Sequence, residues 1–329
     1  EGPRVREVRS AAMEVRPYSA DLLADLFAFA SRNAAERPEA VYLMPSDIAW
    51  RGPTADDVRL WYDDAGLAAY AWFEPLTGVE MDLRWDLAWD GPVAEAMLTW
   101  AEVTRRTYPE AHPPFIGLHS MEAWAEALEN PRRPEPGDGL WLTSVAFETD
   151  SNRIAALARW GFEPSKHFAP DYRFDLAVKL PGVRLPEGMT VRHVEEADLK
   201  ERVATHRDSW LGSTWTLESY REIRESSAYD PELDLVVEAG DGTFANCCIC
   251  WADPVSRIGS FEPVGTRPAW RGKGVTRGLI HEGLRRMKAK GMRVARVETA
   301  GFNHPAQALY EGAGFRRAGT KRTFVRLLE

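Results

Sequence analysis

Cysteine is scarce in this chain of 329 residues: three, all in one run at Cys247, Cys248 and Cys250. So few cannot build a disulfide framework, and C-C-x-C without a second ligand pair lacks what a zinc site needs. The composition fits a reducing cytoplasm. In an extended strand Cys248 and Cys250 share a face and Cys247 takes the other. That reads as small apolar residues in a central strand, Phe244–Trp251. An excess of positive charge is missing too. Lys and Arg number 41 against 50 Asp and Glu, a formal net charge of −9. Nucleic-acid phosphates are repelled at long range by such a chain, and no nucleic-acid motif offsets this. No apolar run approaches the roughly 18 residues of a membrane span. The opening stretch, Glu1–Ala12, is charged rather than apolar, unlike a secretory signal.

What is present is a globular balance, 44% hydrophobic and 28% charged, at a length suited to two domains. The chain also echoes itself. Met13-Glu14-Val15-Arg16 followed by Ala20-Asp21-Leu22 is matched by Met189-Thr190-Val191-Arg192 followed by Ala197-Asp198-Leu199. Each half closes on a Gly-Phe pair, Gly161-Phe162 and Gly314-Phe315, before a strand-like stretch, Tyr172–Val178 and Lys321–Leu328. Matched starts and ends at domain-sized separation indicate duplication. The expected division is residues 13–178, a linker at 179–188 punctuated by Pro181, Gly182, Pro186 and Gly188, and residues 189–329. A second punctuated stretch, Asn130–Gly139, reads as a loop inserted in the first half.

In the second half the pattern gives strands at 190–194, 233–238, 243–251, 257–264, 294–299 and 323–328. Helices are expected at 196–210, 216–226, 274–290 and 305–311. The helix 274–290 carries Leu279, Ile280, Leu284 and Met287 on one stripe. The fold class is therefore α/β, a mixed, mainly antiparallel sheet flanked by helices.

Arg271-Gly272-Lys273-Gly274 follows a strand and opens a helix. Glycines there let the backbone curl so that several N–H groups face one concavity, and the helix N-terminus adds partial positive charge. Arg271, Lys273 and Arg277 add full charges. The loop suits a pyrophosphate but is neither a Walker loop nor a Gly-x-Gly-x-x-Gly fingerprint. Downstream, Asn303 precedes Ala306-Gln307-Ala308-Leu309-Tyr310-Glu311-Gly312-Ala313-Gly314-Phe315. Together these segments resemble the GNAT superfamily of N-acyltransferases, whose hallmark is Arg/Gln-x-x-Gly-x-Gly/Ala opening a helix, then Asn…Ala-x-x-Leu-Tyr-x-x-x-Gly-Phe. The likeness covers the second half well. One departure is Thr276, where the family has Gly or Ala; it either crowds the pyrophosphate or donates a hydrogen bond to it. The first half departs further. Trp89-Asp90-Gly91-Pro92 stands where the loop should be, and Leu157 stands to Phe162 as Tyr310 stands to Phe315. A tandem arrangement follows, with a degenerate first domain that shapes the acceptor site.

The resemblance implies an acetyl-CoA-dependent N-acetyltransferase acting on a small-molecule primary amine in a ternary complex. Tyr310 is then the general acid, and a core aromatic otherwise. Asn303 binds the cofactor arm, or caps a helix. Glu262, in the strand Ser260–Gly265, is the candidate base, or a surface salt bridge. Cofactor contacts fall to Val264, Arg271, Gly272, Lys273, Gly274, Val275, Thr276 and Asn303. Trp210, Trp215 and Tyr220 are the candidate acceptor pocket, or pack on the sheet. His281 is expected to pack or face solvent. A different acyl-CoA donor, or a non-catalytic coenzyme A-binding or interaction module, remains open at this level.

Overall fold

The computed structural model describes residues 13–74, 78–108, 139–210 and 212–328. The expected insertion Asn130–Gly139 lies outside them except for Gly139. The first half runs β1 (Glu14–Pro17), a 3-10 turn (Ala20–Leu22), α1 (Leu23–Glu36), α2 (Pro45–Arg51), β2 (Val58–Asp63), β3 (Gly66–Glu74) and β4 (Gly78–Leu83). It continues with α3 (Pro92–Thr107), β5 (Leu140–Phe147), α4 (Ser151–Arg159) and β6 (Glu163–Asp175). The second repeats that order: β7 (Thr190–His193), a 3-10 turn (Glu196–Asp198), α5 (Leu199–Ser209), α6 (Leu217–Glu225), β8 (Asp234–Glu238), β9 (Phe244–Asp253) and β10 (Ile258–Thr266). It ends with α7 (Val275–Ala289), β11 (Val294–Glu298), α8 (His304–Gly312) and β12 (Arg316–Leu328). No helix among the described residues is long and apolar enough to cross a membrane.

The stretch 179–188 has no helix or strand. The sheets, however, do not divide there. A four-stranded antiparallel sheet holds β1-β2-β3-β4, and an eight-stranded sheet runs β5-β12-β6-β11-β10-β9-β8-β7. The last strand of each half crosses to the other: β6 pairs with β11, and β12 pairs with β5, while β6 and β12 pair with each other. Every pairing in the larger sheet is antiparallel except β10–β11. The strand expected at Tyr172–Val178 instead starts at Glu163, just after the Gly-Phe turn, and stops at Asp175. This length lets it span both β11 and β12.

The second-half core forms where α7 lays its stripe on the sheet. Leu279, Ile280, Leu284 and Met287 meet Cys248, Cys250, Phe261 and Val297, all buried. Cys247 faces the opposite side, against Val203 and Tyr220. Gly283 permits the close approach, since a Cβ there would stand 2.5 Å from Phe261 Cε1 and 2.8 Å from Cys250 Sγ. Contacts from the first half fix α1 and α2 across β10. Ser31 Oγ donates to Asp253 Oδ1 at 3.0 Å, and the hydroxyls of Ser46 and Ser260 are 3.1 Å apart. Ala34, Val41 and Met44 enclose Ile258.

Candidate active site

β10 and β11 are parallel partners for only three residues, Ile258–Ser260 against Val294–Arg296. Beyond Ser260, β10 pairs only with β9 and β11 only with β6, so the two strands part. A register shift falls at the divergence: Phe261 opposes Cys250 and Val264 opposes Cys248, which puts Glu262 and Pro263 opposite one residue, Ile249. Pro263 brings no N–H to a ladder, which suits it to such an irregularity. Trp251 Nε1 donates to the Glu262 carbonyl at 2.6 Å and braces it. The wedge opens into a cavity of about 590 Å³ that Glu262, Val264, Trp210, Asn303 and Tyr310 help to line. It adjoins a second cavity of about 810 Å³ that shares Glu262, Trp210 and Asn303.

The glycine loop sits at the end of β10. Gly272 and Gly274 have φ of 73° and 79°, the left-handed region that other residues rarely adopt. Gly274 is the N-cap of α7; no side chain caps the helix and its first turn carries no acidic residue. Its leading N–H groups therefore have no side-chain cap, the condition that an anion-binding helix start requires. Nothing lies within 4 Å of a Cβ built at Gly272, so the loop presents open backbone. The charges differ in their work. Arg271 is committed to the scaffold: Nε donates to the Thr266 carbonyl at 3.2 Å and Nη2 to the Ser209 carbonyl at 3.0 Å. Lys273 places its ammonium 4.9 Å from the centre of the Trp270 ring. Exposed Arg277 lies beside Gly274. Val275 is buried in the core under α7. Thr276 is buried as well, its hydroxyl 2.6 Å from that of Thr266. That contact ties α7 to β10.

α8 begins with Asn303, whose side chain accepts from the Ala306 N–H at 3.2 Å. The capping role is thus present, and the residue still reaches both cavities. Tyr310, near the other end, is buried but borders the first cavity. Among the described residues its hydroxyl has no hydrogen-bond partner. Burial, then Cys248 and Glu262, push its pKa well above the usual phenol value, so the phenol keeps its proton. Glu262 is also pushed up, to about 8, first by burial and then by Asp47.

The three aromatic candidates separate. Trp210 lines both cavities. Trp215 lines neither: it packs 4.4 Å from His206 and 5.4 Å from Trp50, ring centre to ring centre. Tyr220 is fully buried and donates its O–H to Asp234, itself paired with buried Arg202 at 3.0 Å. A buried phenol needs an acceptor, and Asp234 supplies it, so Tyr220 is a core residue. His206 lines the cavity; burial and Arg202 depress its pKa to about 3, so it is neutral. His281 packs against the backbone, its ring nitrogens 3.2 Å and 3.3 Å from the carbonyls of Gly182 and Ala313.

Residues with no signal in the sequence complete the cavity. α2 contributes Asp47, Trp50 and Arg51, and β4 contributes Glu80. Arg51 pairs with Glu74 and Glu80, each at 2.9 Å, and stacks 4.2 Å from the Trp72 ring centre. Arg296 pairs with Asp171 at 2.6 Å and with Glu298, and Lys321 pairs with Glu298 at 2.6 Å. Met44-Pro45-Ser46-Asp47 can be read only as a helix start, since Asp47 accepts from the Met44 N–H at 2.6 Å. That its carboxyl also faces β10 depends on the packing of the two halves.

Comparison with known proteins agrees with this geometry. Residues 200–315 match the model of the acetyltransferase (GNAT) family. A mycothiol acetyltransferase of Kineococcus radiotolerans is 38% identical over 119 residues, 36% of this chain and 36% of that protein. One from Thermomonospora curvata is 30% identical over 143 residues, 42% of this chain and 48% of that protein. The matched stretch thus spans less than half of either relative. Over nearly the whole chain the fold resembles a GCN5-related N-acetyltransferase from Sphaerobacter thermophilus, with TM-score 0.61, 17% identity, and coverage of 96% of this chain and 95% of that one. A tandem GNAT protein from the clavulanic acid biosynthesis pathway is as similar, with TM-score 0.61, 12% identity, and coverage of 96% and 98%. The parted strands, the left-handed glycine loop and the Asn303–Phe315 segment all lie within the family match, and residues 200–315 form an acetyltransferase domain of the GNAT family.

Proposed function

We propose that the chain is an acetyl-CoA-dependent N-acetyltransferase that transfers the acetyl group directly to a primary amine of a small molecule, both substrates being bound at once. The observation that carries this reading is the convergence of Glu262 and Tyr310 on one cavity at the parting of β10 and β11, with the left-handed Gly272–Gly274 loop following β10 in the chain. The loop and the uncapped first turn of α7 fit a pyrophosphate, with Lys273 and Arg277 as the available charges and Arg271 as a brace. Coenzyme A supplies the acetyl group as a thioester and departs as the thiol. Glu262 takes a proton from the acceptor ammonium, directly or through water. Its raised proton affinity suits that task better than an ordinary carboxylate's. Tyr310 donates its phenolic proton to the departing sulfur. Backbone N–H groups near Val264 polarise the carbonyl. Trp210 and the charged floor from both halves hold the acceptor.

Only the second half is proposed to hold the acyl donor. The first half keeps neither left-handed glycine before α3, whose N-cap Gly91 has φ of −90°, and buries Leu157 where the second half has Tyr310. The relatives' name, mycothiol acetyltransferase, gives one acceptor class to try first. The test is release of free thiol from acetyl-CoA by the purified chain with a panel of small primary amines. Thiol release dependent on both components is expected. Coenzyme A binding without release for any amine or any acyl donor would instead mean a binding module.

A further inference from the structure

Asp47 and Glu262 belong to different halves and meet in the same cavity. α2 carries Asp47 and is held on β10 by the Ser46–Ser260 contact and by Met44 against Ile258. Glu262 rises from the irregular part of β10. After burial, Asp47 is the main influence that raises the proton affinity of Glu262. Two carboxyls that face one cavity resist ionising together, so one proton is held far above the ordinary carboxylate range and both are ionised only above about pH 8.

The cations nearest the pair are bound to other carboxylates. On α2, Arg51 is bound to Glu74 and Glu80. On β11, Arg296 is bound to Asp171 and Glu298, and Lys321 of β12 is bound to Glu298. Glu80 of β4 and Glu298 add negative charge, α5 contributes neutral His206, and α8 contributes the protonated Tyr310. Among the described residues neither Asp47 nor Glu262 has a cation in direct contact. Cations reach them only at longer range, Arg51 lowering both and Arg296 lowering Asp47.

We propose that Asp47 is a positioning residue for acetyl transfer, which shares one proton with Glu262 and so makes the first half part of the proton-accepting machinery. This rests on the transferase reading for its purpose, though not for its geometry. With both carboxyls ionised, above about pH 8, the pair presents to the cavity negative charge that no cation contacts directly among the described residues, and a cationic amine is drawn to it. An N–H bond of the ammonium breaks, an O–H bond forms on Glu262, and the proton is then held between Glu262 and Asp47. The amine is left neutral with its lone pair free. Without Asp47, Glu262 is an ordinary buried carboxyl and a weaker base.

The experiment reads Glu262 directly. Protein labelled with carbon-13 at the glutamate carboxyls is titrated by NMR without acyl donor or acceptor, and the Glu262 signal is assigned by its loss in Glu262→Gln. In the unsubstituted protein it is expected to titrate near pH 8. In Asp47→Asn its midpoint should fall by about one pH unit or more, and the acid limb of the rate of thiol release should move down with it. Glu298→Gln should shift the midpoint less. An unchanged midpoint in folded Asp47→Asn, or an equal shift in Glu298→Gln, overturns the shared proton. Should Asn weaken the cap of α2, Asp47→Ser keeps an acceptor for the Met44 N–H and is read the same way. Failure to release thiol with any amine counts against the transferase reading and leaves the titration result standing. A transferase whose Glu262 midpoint ignores Asp47 rejects only the shared proton.

Discussion

α4 and α8 are two copies of one short helix. Asp150 caps the first by accepting from the Arg153 N–H at 3.1 Å, and Asn303 caps the second by accepting from the Ala306 N–H at 3.2 Å. Their ends match as well. The Phe162 N–H returns to the Leu157 carbonyl at 2.9 Å, and the Phe315 N–H returns to the Tyr310 carbonyl at 3.0 Å. Gly161 and Gly314 take the left-handed turn in each, with φ of 78° and 97°. Backbone geometry is therefore shared, and the difference is in what the side chain meets. Leu157 points into a closed apolar core with Trp160 and Phe324. Tyr310 stands at the edge of a cavity. The strands on either side differ too. β10 and β11 share three ladder pairs before they part, whereas β4 and β5 share none and stand at the edges of two sheets, touching where a Cβ at Gly78 would lie 1.7 Å from Thr143 Oγ1. Beside this short helix, one architecture leaves a cavity in the second copy and an apolar core in the first.

The sharpest way to break the contrast is to make the second copy more like the first. Tyr310→Phe keeps the ring and removes the donor. Turnover in thiol release should fall by about 10²–10⁴-fold, with coenzyme A affinity nearly unchanged in calorimetry. Equal turnover, where chemistry limits the rate, would assign Tyr310 to packing. Gly274→Asp comes next. Its φ of 79° strains any side chain, and a carboxylate at the N-cap occupies the N–H groups meant for phosphate. The affinity for coenzyme A should drop by about tenfold or more, while circular dichroism reports an intact fold. Unaltered affinity would move the cradle elsewhere.

Smaller effects sharpen the same comparison. Leu157→Tyr restores the phenol to the first copy but finds no cavity there. It should cost about 1–3 kcal/mol of stability by overpacking and give no second coenzyme A site. A gain of binding would show that the first half is less filled than Leu157, Trp160 and Phe324 indicate. Glu262 gives a pH signature. Its folded-state pKa, about 8, lies above the ordinary value of 4.5, so in that interval the folded chain binds more protons than the unfolded one. Stability from this group is thus present at low pH and lost as pH rises from about 4.5 through about 8. Denaturant melts of Glu262→Gln should lack that decline. A parallel decline in the variant would locate it in other groups.

Much of the second copy was legible because its signals are local. Gly272 and Gly274 announce a left-handed loop, Tyr310 is placed by its distance from Gly314-Phe315, and Cys247, Cys248 and Cys250 alternate as a buried strand must. Where the residues left alternatives open, partners from other elements decided. Tyr220 could line a pocket or pack on the sheet, and Asp234 with Arg202 holds it in the core. The contact of Thr276 with Thr266 had no signal in either residue. Asp47 carried only a capping signal, and the exchange of β6 and β12 between halves left no mark in either strand's own pattern.

One architecture, present twice, is expected to hold its acyl donor once. Calorimetric titration of the unsubstituted chain and of Gly274→Asp with coenzyme A tests it most directly. One site per chain in the first, severely weakened in the second, is the predicted result. Two comparable sites, or one site that survives Gly274→Asp unchanged, would contradict it.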